Sequence, residues 1–141
     1  MTHTPRKTLL LISFALAISS ISVSQTATTD SKTIPVLDGD AGPCSADFTI
    51  TDASGAPVYA AKIKVHIAYR FGGFHKLDLE VSTNADGKAR VTGLPDRVKR
   101  DGLTFNASEG DRTGEAFDDP GKTCQAQFTI ALKKADQKKS Q

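Results

Sequence analysis

Beyond its first two dozen residues the sequence carries two histidines, His66 and His75, two tyrosines, Tyr59 and Tyr69, and two cysteines, Cys44 and Cys124. Imidazole and phenolate groups together can hold a transition metal such as iron. That chemistry needs all four side chains at one point. Tyr59 and Tyr69 lie ten residues apart in a stretch that reads as one strand, about 33 Å when extended, and the histidines do not form a His-x-His pair. Oxygen ligands for calcium could come from Asp38-Gly39-Asp40 or from Asp111, Glu115, Asp118 and Asp119, but neither group has the ordered ligand series of a calcium loop. Solvated acidic loops account for both. No Ser/His/Asp spacing suggests an activated nucleophile, and no Gly-rich loop leads from a strand into a helix. Asn106-Ala107-Ser108 matches a glycosylation sequon but sits inside an alternating run and reads as accidental. No catalytic residue, metal or cofactor is expected.

The elements that would position these groups begin after a leader. Residues 1–24 hold Arg6 and Lys7, an apolar run over 9–17, and small residues ending in Ser22-Val23-Ser24. A basic head, a short hydrophobic stretch and small residues describe a secretory signal peptide. The run falls short of the about 20 apolar residues that cross a bilayer. Removing it leaves 16 cationic and 16 acidic residues, a neutral mature chain. The surplus of lysine is in the tail, so no clustered basic face points to nucleic acid. Export to the periplasm or the exterior is expected, with no membrane association after cleavage.

Residues 25–43 are rich in Thr, Ser, Asp, Gly and Pro and read as a flexible leader; residues 133–141 read as a disordered basic tail. Between them, 44–132 alternates apolar and polar residues repeatedly, with turn residues between the runs. Seven short strands in under 100 residues predict an all-β, antiparallel Greek-key sandwich of Ig-like architecture. Two pairings can be derived. Setting Ile67 against Leu77, Val65 against Leu79 and Ile63 against Val81 keeps the apolar residues on one face. The same register brings His66 to Asp78 and Lys64 to Glu80. The second pairing comes from an echo, C-x-A-x-F-T-I, at Cys44 and again at Cys124. First and last strands lying parallel would bring the two cysteines level, and exported cysteines in even number usually oxidise. A Cys44–Cys124 disulfide is expected.

The stretch Asp52-x-x-Gly55-x-Pro57-Val58-x-x-Ala61-x-Ile63-x-Val65 resembles the opening of the carboxypeptidase regulatory-like domain, a transthyretin-like sandwich. The stretch Thr83-Asn84-Ala85-Asp86-Gly87-Lys88-Ala89-Arg90-Val91-Thr92-Gly93-Leu94-Pro95 resembles its second hallmark, so the likeness covers about 45–132. The sequence departs from that family after Pro95. There Asp96-Arg97-Val98-Lys99-Arg100-Asp101-Gly102 replaces the usual Pro-Pro-Gly turn, and Phe105 takes the aromatic role. The resemblance implies a non-catalytic module. Related sandwiches do include enzymes. Intradiol dioxygenases use two Tyr and two His, and hydroxyisourate hydrolases end in Tyr-Arg-Gly-Ser where this chain has Lys-Lys-Ser-Gln. The residues fit neither, and no enzymatic role is expected.

The remaining candidate is Arg70-Phe71-Gly72-Gly73-Phe74, the tip between the second and third runs. Arg70, Phe71 and Phe74 offer apolar area and a donor fork at one end of the sandwich, where such folds place binding function. Alternatively, one Phe folds back to plug that end. The expectation from sequence is an interaction or accessory module whose partner is a protein or an envelope glycan. A small metal-assisted exported enzyme and a structural spacer are the rivals.

Overall fold

The computed structural model describes residues 32–69, 74–98 and 102–135. Nine strands build it: β1 (Val36–Asp38), β2 (Cys44–Thr51), β3 (Lys62–Tyr69), β4 (His75–Ser82), β5 (Lys88–Leu94), β6 (Leu103–Glu109), β7 (Arg112–Asp118), β8 (Gln125–Ala131) and β9 (Lys133–Lys134). They form two sheets, ordered β1-β5-β2-β8 and β4-β3-β6-β7-β9. The expected β-sandwich is there, with nine strands among the described residues rather than seven. The two additions, β1 and β9, fall in the segments read from sequence as leader and tail. The first sheet is mixed: β2 runs parallel to β8, as the echoed motif predicts, and the added strand β1 runs parallel to β5. The proposed signal peptide lies outside the described residues.

Both derived registers are present. Ile67 pairs with Leu77, Val65 with Leu79 and Ile63 with Val81. The outer face of that hairpin carries His66 Nδ1 at 2.6 Å from Asp78 Oδ1, and Glu80 between Lys64 (3.1 Å) and Lys62 (3.4 Å). The hydrogen bond from Lys64, helped by the Lys62 charge, holds the Glu80 carboxyl below its ordinary pKa. A one-residue slip would bury this charged row, so sequence and pairing enforce each other.

The echoed motif pairs residue for residue, Ala46 with Ala126, Phe48 with Phe128 and Ile50 with Ile130. Alternation turns these side chains inward, toward the inner rows of β3 and β6. Phe48 stacks on Phe128 (centroids 5.7 Å apart) and meets the edge of Phe105 from the opposite sheet at 4.8 Å. This aromatic group lies among Ile50, Ile63, Val65, Ile67, Leu103 and Leu132, all buried. The two layers share one core.

The end holding the turns 52–57 and 83–87 is closed by side-chain hydrogen bonds to the backbone. Asn84 Oδ1 accepts from the Asp86 and Lys88 amides (3.0 and 2.8 Å), and Gly87 takes a φ of 70°. A Cβ at Gly87 would collide with the Ile50 carbonyl, which explains glycine there. Thr83 Oγ1 donates to the Val58 carbonyl (2.6 Å) and accepts from the Ala61 amide (3.0 Å). The chain crosses from β2 in one sheet to β3 in the other through this clamp.

Candidate functional site

The opposite end gathers the loops. Antiparallel pairing brings the end of β3 and the start of β4 there, Tyr69 opposite His75. Tyr69 also forms an isolated bridge with Val98, in the loop that follows β5. Gly102, at the far side of that loop, packs its backbone against the Asp118 carbonyl and the Phe117 ring. The Cys44–Cys124 disulfide closes the same end, with its Cα atoms 4.5 Å apart. Cys44 Sγ is 3.9 Å from the Pro120 carbonyl. Being bonded to Cys124, the sulfur has no proton to donate, so this is a packing contact.

Between the loops lies a cleft of about 550 Å³, walled by Asp96, Arg97, Val98, Phe117, Asp119 and Lys122. Phe117, 57% exposed, supplies an aromatic surface. Lys122 Nζ sits 3.2 Å from Asp119 Oδ2. The Lys122 and Thr123 amides donate to the Asp119 carbonyl at 2.8 and 2.9 Å, which fixes the turn that carries this ion pair. The Phe117 and Val98 side chains among mixed charges suit an amphipathic ligand.

Beneath the cleft, Asp118 is only 6% exposed and faces inward opposite Leu103. Burial pushes its carboxyl pKa up, and the neighbouring Asp119 amide, a hydrogen-bond donor, partly opposes the shift. Sequence reasoning read Asp118 as part of a solvated acidic loop and did not single out Phe117; the structure buries the first and exposes the second. The inner row of β7 is Arg112, Gly114, Ala116 and Asp118, whereas a hydrophobicity pattern would turn Phe117 inward and Asp118 out. A signal was available. Gly114 leaves room for Ile130 from the other sheet, since a Cβ there would press on the Ile130 methyl, and that parity turns Phe117 to solvent.

Of the residues expected to bind, Phe74 is 85% exposed beside the Tyr69–His75 ring contact (5.6 Å). It does not plug the sandwich. Arg70 and Phe71 lie outside the described residues. The tyrosines and histidines do not converge. Tyr69 and His75 share the inner row, His66 faces outward, and Tyr59 is exposed at the opposite end. Tyr59 precedes β3 rather than belonging to it, because Ala60 adopts a positive φ of 56°. The acidic cluster is dispersed. Asp111 stands 3.8 Å from Lys134 at one end of β7, and Asp118 and Asp119 are at the other. Asp38 Oδ1 accepts the Asp40 amide (2.9 Å) in a local turn. Among the described residues no three His, Cys, Asp or Glu side chains are placed to hold a metal.

No family model matches the chain, and no curated protein matches it. Solved structures similar to it include catechol 1,2-dioxygenase from Pseudomonas arvilla, at 14% identity and a TM-score of 0.46, covering 74% of this chain and 59% of that one. The 3-chlorocatechol 1,2-dioxygenase from Rhodococcus opacus aligns at 12% identity and 0.45, covering 74% and 68%. Hydroxyquinol 1,2-dioxygenase from Pseudomonas putida aligns at 11% and 0.44, covering 74% and 63%. The chain thus spans less than two thirds of the Pseudomonas arvilla enzyme. The expectation of no enzymatic role is corrected by this comparison, since the similar structures named are all enzymes. No reaction is carried over from them to this chain.

Proposed function

We propose that this chain is an exported β-sandwich binding domain, of carboxypeptidase regulatory-like type, that engages an envelope glycan or a partner protein through its loop end. The exposure of Phe74, 85% in an end that also presents Phe117 and the charged cleft, carries the reading. Exposed aromatic rings beside mixed charges are what interface cores and sugar platforms use. A disulfide between strands suits an oxidising compartment. The resemblance draws support from Gly55 and Gly87, whose φ values of 89° and 70° are ones glycine adopts most readily. Pro57 supports it too, bridged to Thr51 at the entry to the crossover.

The test is retention of the mature protein on isolated envelope polysaccharide, with photo-crosslinking from position 74 in cells as the protein arm. Retention or a discrete crosslinked partner, lost in Phe74→Ala/Phe117→Ala without a fall in Tm, is the expected result. A double variant that binds as well as wild type, or a wild type that binds in neither arm, refutes the proposal.

A further inference from the structure

The four sheet margins are not alike. β1 has three residues and β9 has two, both of them lysine. β4 sets Lys76, Asp78 and Glu80 along its length. Short strands and charges are the usual protections of a sheet edge against further pairing. β8 has neither. Its seven residues, Gln-Ala-Gln-Phe-Thr-Ile-Ala, contain no charge, proline or glycine. Among the described residues β2 is its only strand partner.

The open side of β8 can be read residue by residue. The Ser45 amide donates to the Cys124 carbonyl, and the Leu132 amide donates to the Thr51 carbonyl, each at 2.8 Å. A parallel ladder engages alternate residues of a strand. Even-numbered residues therefore face β2. Gln125, Gln127, Thr129 and Ala131 aim their N–H and C=O groups at the open edge.

We infer that β8 is the contact strand of a twofold dimer, pairing antiparallel with β8 of a second copy so that the sheet β1-β5-β2-β8 continues across the axis. The register centres on Phe128. Gln127 then meets Thr129 of the second copy and Gln125 meets Ala131, so the outward-aimed backbone groups of both strands match. On the inner side Ala126 meets Ile130, and the two half-buried Phe128 rings adjoin across the axis, extending the Phe48–Phe128 stack. An isologous contact must complement itself, and this neutral strand does so where β4 would oppose like charges. A seam this short is small beside the about 1,000 Å² of a stable interface. The dimer should dissociate measurably at micromolar concentration.

Sedimentation velocity of the mature protein from about 1 to about 500 µM tests the inference. Wild type should shift from monomer to dimer across that range. Gln127→Pro removes an amide that faces the open edge, a position where an edge strand tolerates proline. Gln127→Lys/Thr129→Lys sets like charges opposite each other without touching the core. Both should raise the dissociation constant roughly tenfold or more. Mixing the lysine variant with Gln127→Glu/Thr129→Glu should restore a heterodimer. A wild type that stays monomeric throughout, whether its edge is open or covered by its own termini, overturns the inference. So does a dimer that persists in the lysine variant.

Discussion

Cys44, the first residue of β2, and Cys124, the residue just before β8, lie eighty residues apart in sequence and are joined by a disulfide where these parallel strands begin. The bond ties the edge strand β8 to the interior strand β2 at the loop end. In the chain-entropy account, closing a loop of this length contributes about 4 kcal/mol by restricting the unfolded chain. Cys44→Ala/Cys124→Ala should lose about that much in guanidinium unfolding. Reduction of the wild type should match the variant. A loss under about 1 kcal/mol would show that the unfolded chain is already constrained at these positions.

Phe105 and Phe74 test burial against exposure. Phe105 is fully buried and packs against Phe48 and Phe128. Phe105→Ala should cost about 3–5 kcal/mol, because the cavity adds to the lost transfer energy. Phe74→Ala should cost less than about 0.5 kcal/mol. Comparable losses at the two sites would contradict the placement of Phe74.

Gly93 adopts a φ of 66°, and a Cβ there would run into the Asp38 carboxylate and the backbone of Asp40. Gly93→Ala should therefore cost more than about 1 kcal/mol. It should also loosen β1 selectively, because the amides of Gly39 and Ala41 bond to the Thr92 and Gly93 carbonyls. Hydrogen exchange at those two amides should rise more than at Ala46 or Phe48.

Asp118 predicts a pH dependence of definite sign. Its folded pKa lies above the ordinary 3.8, so the folded protein holds the proton to higher pH than the unfolded chain does. Stability from this group is present below 3.8 and is lost as pH rises through the folded value. Asp118→Asn keeps an acceptor for the Asp119 amide and removes the buried charge. The variant should melt higher than wild type near pH 7, with the gap closing by about pH 3. A constant gap across that range would rule out the linkage.

The hairpin register was legible because two constraints agree. Ile63, Val65 and Ile67 demand one face, and His66 and Lys64 find opposite charges only in the same alignment. The disulfide was legible from the echoed motif. β1 and β9 were not, since two or three residues carry no period. They are held by partners distant in sequence, as when the Arg90 amide bonds to the Pro35 carbonyl. The candidate site divides the same way. Two phenylalanines on a glycine hinge marked the tip at Phe74, whereas Phe117 owes its exposure to a strand whose inner row is an arginine, two small residues and one acid. The tyrosine at 59 misled for a local reason: the alternating pattern runs on through Ala60, where the backbone turns.

The Thr83 hydroxyl, accepting from Ala61 and donating to Val58, makes the two ends of the molecule mechanically unequal. One pole is riveted from layer to layer by a single oxygen atom and by the asparagine turn next to it. Relative movement of the layers is restrained most directly at that pole. Any jaw-like widening of the cleft thus has its fulcrum nearly a strand's length from the groups it would spread, and a bond too small to show in the sequence pattern sets where the lever turns.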